Sequence, residues 1–259
     1  GDNSCGFHGL GIKRDDAAAK LLRHKQDAEV VNFVAADLEA ALQTGSRKGF
    51  PPAIRDDEEL WSALAAYYAA QEAHDAQRRE GRELLAEERH LRGAGGKANV
   101  AHDVPTALHH LSAELKGEAT AAPSGPKKLQ LMQRLLRCKI QLSELQASAD
   151  RAATAQMNLR ARSRARAEDY ITWMGRDSSF WLSFLRGGRS ASGGGLLDAM
   201  AKVFGLTVRV WAEVADGSPA SAAAADGLPP LELAHQVNFG GREVDLFYQG
   251  LCHFDRLRP

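Results

Sequence analysis

Apolar residues recur every three or four positions through most of this chain of 259 residues, and they alternate with polar ones only beyond Gly205. The first spacing lines one face of a helix and the second one face of a strand, so a helical body followed by a late sheet is expected. Phe7 and Leu10 stand three apart as on a short helix, although Gly6, Gly9 and Gly11 weaken its intrinsic propensity. Asp15 or Asp16 is expected to cap a second helix that carries Leu21, Leu22, Val30, Val31, Val34, Leu38 and Leu42 as far as Gly45. Asp56 and Asp57 can cap a long helix through Leu60, Leu64, Tyr67, Tyr68, Leu84 and Leu85, with a bend expected at Gly81. Pro105 opens a shorter helix with Leu108, Leu111 and Leu115. Past a turn at residues 123–126, Leu131, Leu135, Cys138, Leu142, Leu145, Ala149 and Ala152 fall four and three apart, the spacing of a coiled-coil seam.

The period changes after Tyr170. A glycine-rich loop containing Trp181 leads to a helix from Leu196 that stops at Gly205, the residue type that closes helices in a left-handed conformation. Leu206, Val208 and Val210 then alternate with Thr207, Arg209 and Trp211, and residues 233–239, 244–248 and 253–257 read as further strands around an alanine-rich loop at 215–230. The expected architecture is a mixed α/β (α+β) domain from residues 1–55 and 165–259, interrupted by an antiparallel helical arm at 56–164.

Composition narrows the class. A hydrophobic content of 44% is ample for a core, and 33 basic residues against 33 acidic ones leave no net charge to draw the whole surface to nucleic acid or an anionic membrane. No apolar run approaches the roughly 20 residues that span a bilayer. Cys5, Cys138 and Cys252 are too few and too scattered for a disulfide framework or a zinc ribbon, and a working thiol in a reducing compartment suits them better. His102, His109 and His110 lack the cysteine or glutamate spacing of a metal site. The chain opens one residue before its most informative motif and without methionine, which suggests a piece excised from a longer protein.

Chemistry concentrates at the two ends. Cys5 stands where a helix should begin, and the unpaired N–H groups and dipole of a helix N-terminus favour a thiolate. The Asp2-Asn3-Ser4 turn before it offers backbone N–H groups to a developing oxyanion. In a terminal strand His253 and Asp255 face the same side, so the carboxylate can receive the imidazole N–H and orient the ring. Nucleophile, base and orienting acid make a triad.

These stretches resemble a known family. Gly1-Asp2-x-x-Cys5-x-Phe7-His8-x-Leu10 is similar to the nucleophile motif of ovarian-tumour (OTU) type cysteine proteases, and His253-Phe254-Asp255-Arg256-Leu257 to their terminal strand. Tyr170 through Trp181, then Leu197, Ala199, Met200 and Ala201 leading into Val208-Arg209-Val210, resemble the family's tryptophan loop, helix and central strand. The likeness covers roughly residues 1–45 and 165–259; Gly6, Ser4 and Leu196 depart from the usual pattern. It implies a papain-like fold with a mixed sheet flanked by helices, in which Cys5 is the nucleophile, His253 the base and then acid, Asp255 the orienting acid, and Asp2 a shaper of the oxyanion loop.

The resemblance further implies a deubiquitinase that cleaves the peptide or isopeptide bond after the Gly-Gly tail of ubiquitin, polyubiquitin or a related modifier, with no cofactor or metal. Trp181 and Phe254 are expected to wall a narrow channel for the diglycine. An Ala-, Arg- and Gly-rich composition suggests a bacterial effector delivered into a host cytosol. The alternative is a catalytically silent ubiquitin-binding or scaffolding module that uses the arm. Arg160, Arg162, Arg164 and Arg166 form a basic run, read either as a solvated helix end or as a contact for acidic protein or RNA.

Overall fold

The computed structural model describes residues 10–92, 103–176, 195–213, 231–248 and 254–256. Helix predominates among them: α1 (Arg14–Arg23), α2 (Ala28–Thr44), the short α3 (Pro52–Arg55), α4 (Glu58–Leu91), α5 (Val104–Ala121), α6 (Pro126–Ala165), α7 (Ala167–Arg176) and α8 (Leu196–Phe204). Strands are confined to β1 (Leu206–Glu213), β2 (Leu231–Asn238), β3 (Arg242–Tyr248) and β4 (Phe254–Arg256). This overturns the expectation of a papain-like α/β fold: the described residues are helix-dominated, with one small sheet among them. The cause is the extent of each period. Helices α4 and α6 alone hold 34 and 40 residues, whereas β4 has 3, so the late alternating stretch supplies too little strand to organise the molecule.

The chain divides into two compact units, Gly1–Trp61 with Leu159–Pro259, and Ser62–Asn158. In the first, β2-β1-β3-β4 form a mixed sheet in that order, β1 lying antiparallel to β2 and parallel to β3, and β3 antiparallel to β4. Val208, Val210, Val244 and Leu246 are buried on one face, and α8, buried along nearly its whole length, packs between this sheet and α2. Gly205 ends α8 with φ +61°, the left-handed closure that its position suggests. The β2–β3 turn needs Gly241 for room as well: a Cβ there would stand 2.1 Å from the Gly205 carbonyl oxygen.

Two local expectations change here. Asp15 and Asp16 lie inside the first turn of α1 rather than capping it, and Asp27 opens a separate helix α2 by accepting from the Glu29 and Val30 N–H groups at 3.0 and 3.4 Å. Three arginines of the run are bound by carboxylates, while Arg162 and Arg164 stay exposed to solvent. Arg160 binds Glu39, with Nη2 donating to Oε2 at 2.9 Å, Arg162 binds Glu59, and Arg166 binds Asp57. These arginines tie the end of α6 to α2 and to the start of α4.

In the second unit, Leu84 and Leu85 of α4, Val104, Leu108, Leu111 and Leu115 of α5, and Leu131, Cys138 and Leu145 of α6 close one apolar core. Gly81 serves contact here: a Cβ on it would lie 2.7 Å from Val104 Cγ1, and α4 runs unbroken past it. Polar groups inside this core are matched. Cys138 donates its thiol to the Leu108 carbonyl at 3.2 Å, and Gln141 Nε2 donates to the Gln77 carbonyl and side chain at 3.1 and 3.0 Å. Burial pushes the Cys138 thiol pKa up, which suits packing and disfavours reaction.

Candidate active site

Described residues near each end of the chain meet strand β3. At its start, the Arg242 guanidinium donates to the carbonyl of Leu10, a fully buried residue, and lies against Gly11. At its end, Phe247 and Tyr248 pair with Asp255 and Phe254 of β4. A strand advances roughly 3.3 Å per residue, so about 16 Å of β3 separates the two attachments. Of the expected site residues, Asp255 and Phe254 are therefore brought to this strand by backbone pairing. Cys5, His253, Asp2, Asn3, Ser4 and Trp181 lie outside the described residues, as does Cys252.

The outer face of the sheet carries a charged cluster beside this pairing. Arg209 on β1 donates through Nε and Nη2 to the two carboxylate oxygens of Asp245 on β3, each at 2.8 Å, and the Trp211 indole N–H reaches the same carboxylate at 2.8 Å. The Arg209 hydrogen bond, then that of Trp211, holds the Asp245 pKa below the usual carboxylate range. Glu243 adds a second carboxylate to Arg209 at 3.0 Å. Registry explains the cluster, since Arg209 pairs directly with Asp245 across the parallel ladder.

The inner face holds a second carboxylate and imidazole pair that sequence reasoning missed. His235 stands opposite Val210 in the β1–β2 ladder, so it shares the buried face, and its Nε2 meets Asp198 Oδ1 of α8 at 2.7 Å. A register shift immediately beyond, where Trp211 pairs with Leu233, turns the rest of β2 outward. The sequence did carry a signal, because Asp198 is the one acid in a helix whose only other charged residue is Lys202, and a buried acid needs a partner.

Asp198 raises the His235 pKa above the ordinary imidazole value, the hydrogen bond being the largest cause. A raised basic group stabilises the fold fully below its unfolded pKa, about 6.5, and loses that contribution as pH rises through the folded value. In an NMR titration of the ring protons, His235 is expected to keep its proton at a pH where exposed histidines have lost theirs, and Asp198→Asn is expected to bring it down to them. A wild-type midpoint no higher than theirs would remove the pair from solution.

A third buried group, Asp37 of α2, takes the place of a missing helix cap. Gly195 precedes α8 and has no side chain to cap it, and the Asp37 carboxylate accepts from the Leu196 N–H and, at 2.7 Å, from the Tyr170 hydroxyl of α7. Gly195 is needed for the approach, since a Cβ on it would lie 3.1 Å from Asp37 Cβ. Burial is the largest influence on Asp37 and raises its pKa from 3.8 to about 6, with the two hydrogen bonds opposing.

With this geometry in hand, no protein-family model, no curated protein and no solved structure matches the chain. The functional reading therefore rests on the residues themselves.

Proposed function

We propose that this chain is a cysteine protease that cleaves after the diglycine tail of ubiquitin or a related modifier, with Cys5 as nucleophile, His253 as base and acid, and Asp255 as orienting acid. The observation that supports it best is the sharing of β3: Arg242 of that strand binds Leu10, five residues on from Cys5 in the sequence, and β4, which carries Asp255, pairs with the same strand. In the proposed reaction the Cys5 thiolate attacks the glycine carbonyl, and His253 gives its proton to the leaving amine. The thioester so formed on Cys5 is then opened by a water that His253 deprotonates. The resemblance of both terminal motifs to OTU-type proteases supplies the substrate class; it does not extend to a papain-like fold.

The test is incubation with ubiquitin carrying a thiol-reactive C-terminal group. Wild type is expected to gain one modifier in mass, Cys5→Ala none, and His253→Ala far less while its Cys5 remains open to a small alkylating agent. No adduct on wild type, with unmodified ubiquitin still bound, would make the chain a binding module. Neither adduct nor binding would remove the modifier altogether.

A further inference from the structure

Helix α6 buries Leu131, Cys138 and Leu145 and turns a second apolar stripe the other way. Leu129, Met132, Leu136 and Ile140 are 60, 54, 58 and 49% exposed. Their spacing keeps them within an arc of about 80° on a helix of 3.6 residues per turn. Together they leave on the order of 400 Å² of apolar surface open, a size at which a patch marks an interaction site.

The two edges of the stripe differ in charge. On one flank lie Lys128 and Lys139, which form no ion pair among the described residues. On the other flank Arg137 is bound to Glu87, and Ile140 looks into a concavity of about 370 Å³ that Glu80, Glu83 and Glu87 of α4 also line. Three carboxylates against one guanidinium make that edge acidic.

We propose that this face joins two copies of the chain side by side, with the α6 helices parallel about a two-fold axis running along them. The charge pattern selects both partner and direction. Rotation about an axis parallel to the helix brings the basic edge of each copy onto the acidic edge of the other, twice, and sets Lys139 level with the carboxylate-lined concavity beside Ile140. An antiparallel pair would set lysine against lysine. An anionic lipid surface would meet Glu80 and Glu83. A single helix face buries roughly 1,000 Å² in total on pairing, the low end for specific interfaces, so the dimer is reversible and concentration-dependent.

Sedimentation equilibrium on the whole chain tests this. Wild type is expected to dimerise in the micromolar range, more weakly as salt rises, and Leu136→Asp to remain monomeric with an unchanged circular dichroism melt. Lys139→Glu and Glu83→Lys should each weaken the homodimer at least about ten-fold. An equimolar mixture of those two variants should recover wild-type affinity, because both edges of the mixed dimer are then again opposite in sign. A wild-type chain that stays monomeric to about 300 µM, a dimer indifferent to Leu136→Asp, or a mixture no tighter than its parts overturns the proposal. So does a monomer that binds anionic vesicles through this stripe.

Discussion

Replacing Arg134 with alanine is expected to destabilise the helical unit by about 3–5 kcal/mol, the cost of leaving a buried charge without its partner. Glu88 has only 3% of its side chain exposed, and its carboxylate takes three bonds from the Arg134 guanidinium, two of them from Nε at 2.9 and 3.0 Å. Alanine removes both donor nitrogens, and with them all three contacts, and leaves the carboxylate in place. Changing both residues to methionine should cost much less, since neither charge then remains to be desolvated. The adjacent pair gives the contrast: Arg137 and Glu87 have 57 and 48% of their side chains exposed. Arg137→Ala should therefore cost less than about 1 kcal/mol. Urea denaturation followed by circular dichroism separates the cases, and an Arg134→Ala loss no larger than that of Arg137→Ala would mean that Glu88 is hydrated in solution.

The second large effect is on pH dependence. Asp37 has a folded pKa of about 6. In the unfolded chain an aspartate titrates near 3.9. Between those values the native state holds a proton that the unfolded state has released, so stability falls as pH rises from about 4 to about 6 and levels off above. The ionised carboxylate costs about 3 kcal/mol at pH 8, at about 1.4 kcal/mol per pH unit. Asp37→Asn should flatten this part of the curve and raise stability above pH 7, because the amide oxygen can accept from Leu196 and its nitrogen can donate to the Tyr170 oxygen. Tyr170→Phe should have the opposite effect at pH 8, having withdrawn the hydroxyl that holds the carboxylate. Denaturation midpoints across pH 4–8 decide the matter, and an Asp37→Asn curve parallel to wild type would exclude Asp37 as the source of the slope.

These two predictions turn on contacts that linear patterns do not reveal. The helical periods were legible: the Leu131, Cys138 and Leu145 seam faces inward, Asp57 does cap α4 through the Leu60 N–H at 3.0 Å, and Gly205 does close α8. Fold class was misjudged because the strand signals, though real, belong to one sheet of four strands among much longer helices. Resemblance at the ends of a chain says little about the proportion of helix between them. Gly81 has a role that sequence alone did not show, since a glycine inside a helix reads the same whether or not a neighbour presses against it. Val104, which does the pressing, lies on another helix.

For the candidate site, the sequence by itself determined the chemistry available: a thiol near one end, an imidazole and a carboxylate near the other, and the local spacing that gives a strand to Asp255. Tertiary structure alone decided that Leu10 and β4 meet the same strand, the first through the Arg242 guanidinium of β3 and the second through backbone pairing with it. It also decided which other charges are costly, for Asp37 and Glu88 look in sequence like any surface acid. What sets them apart is desolvation, and desolvation depends on what the rest of the chain packs over a carboxylate rather than on its neighbours in sequence.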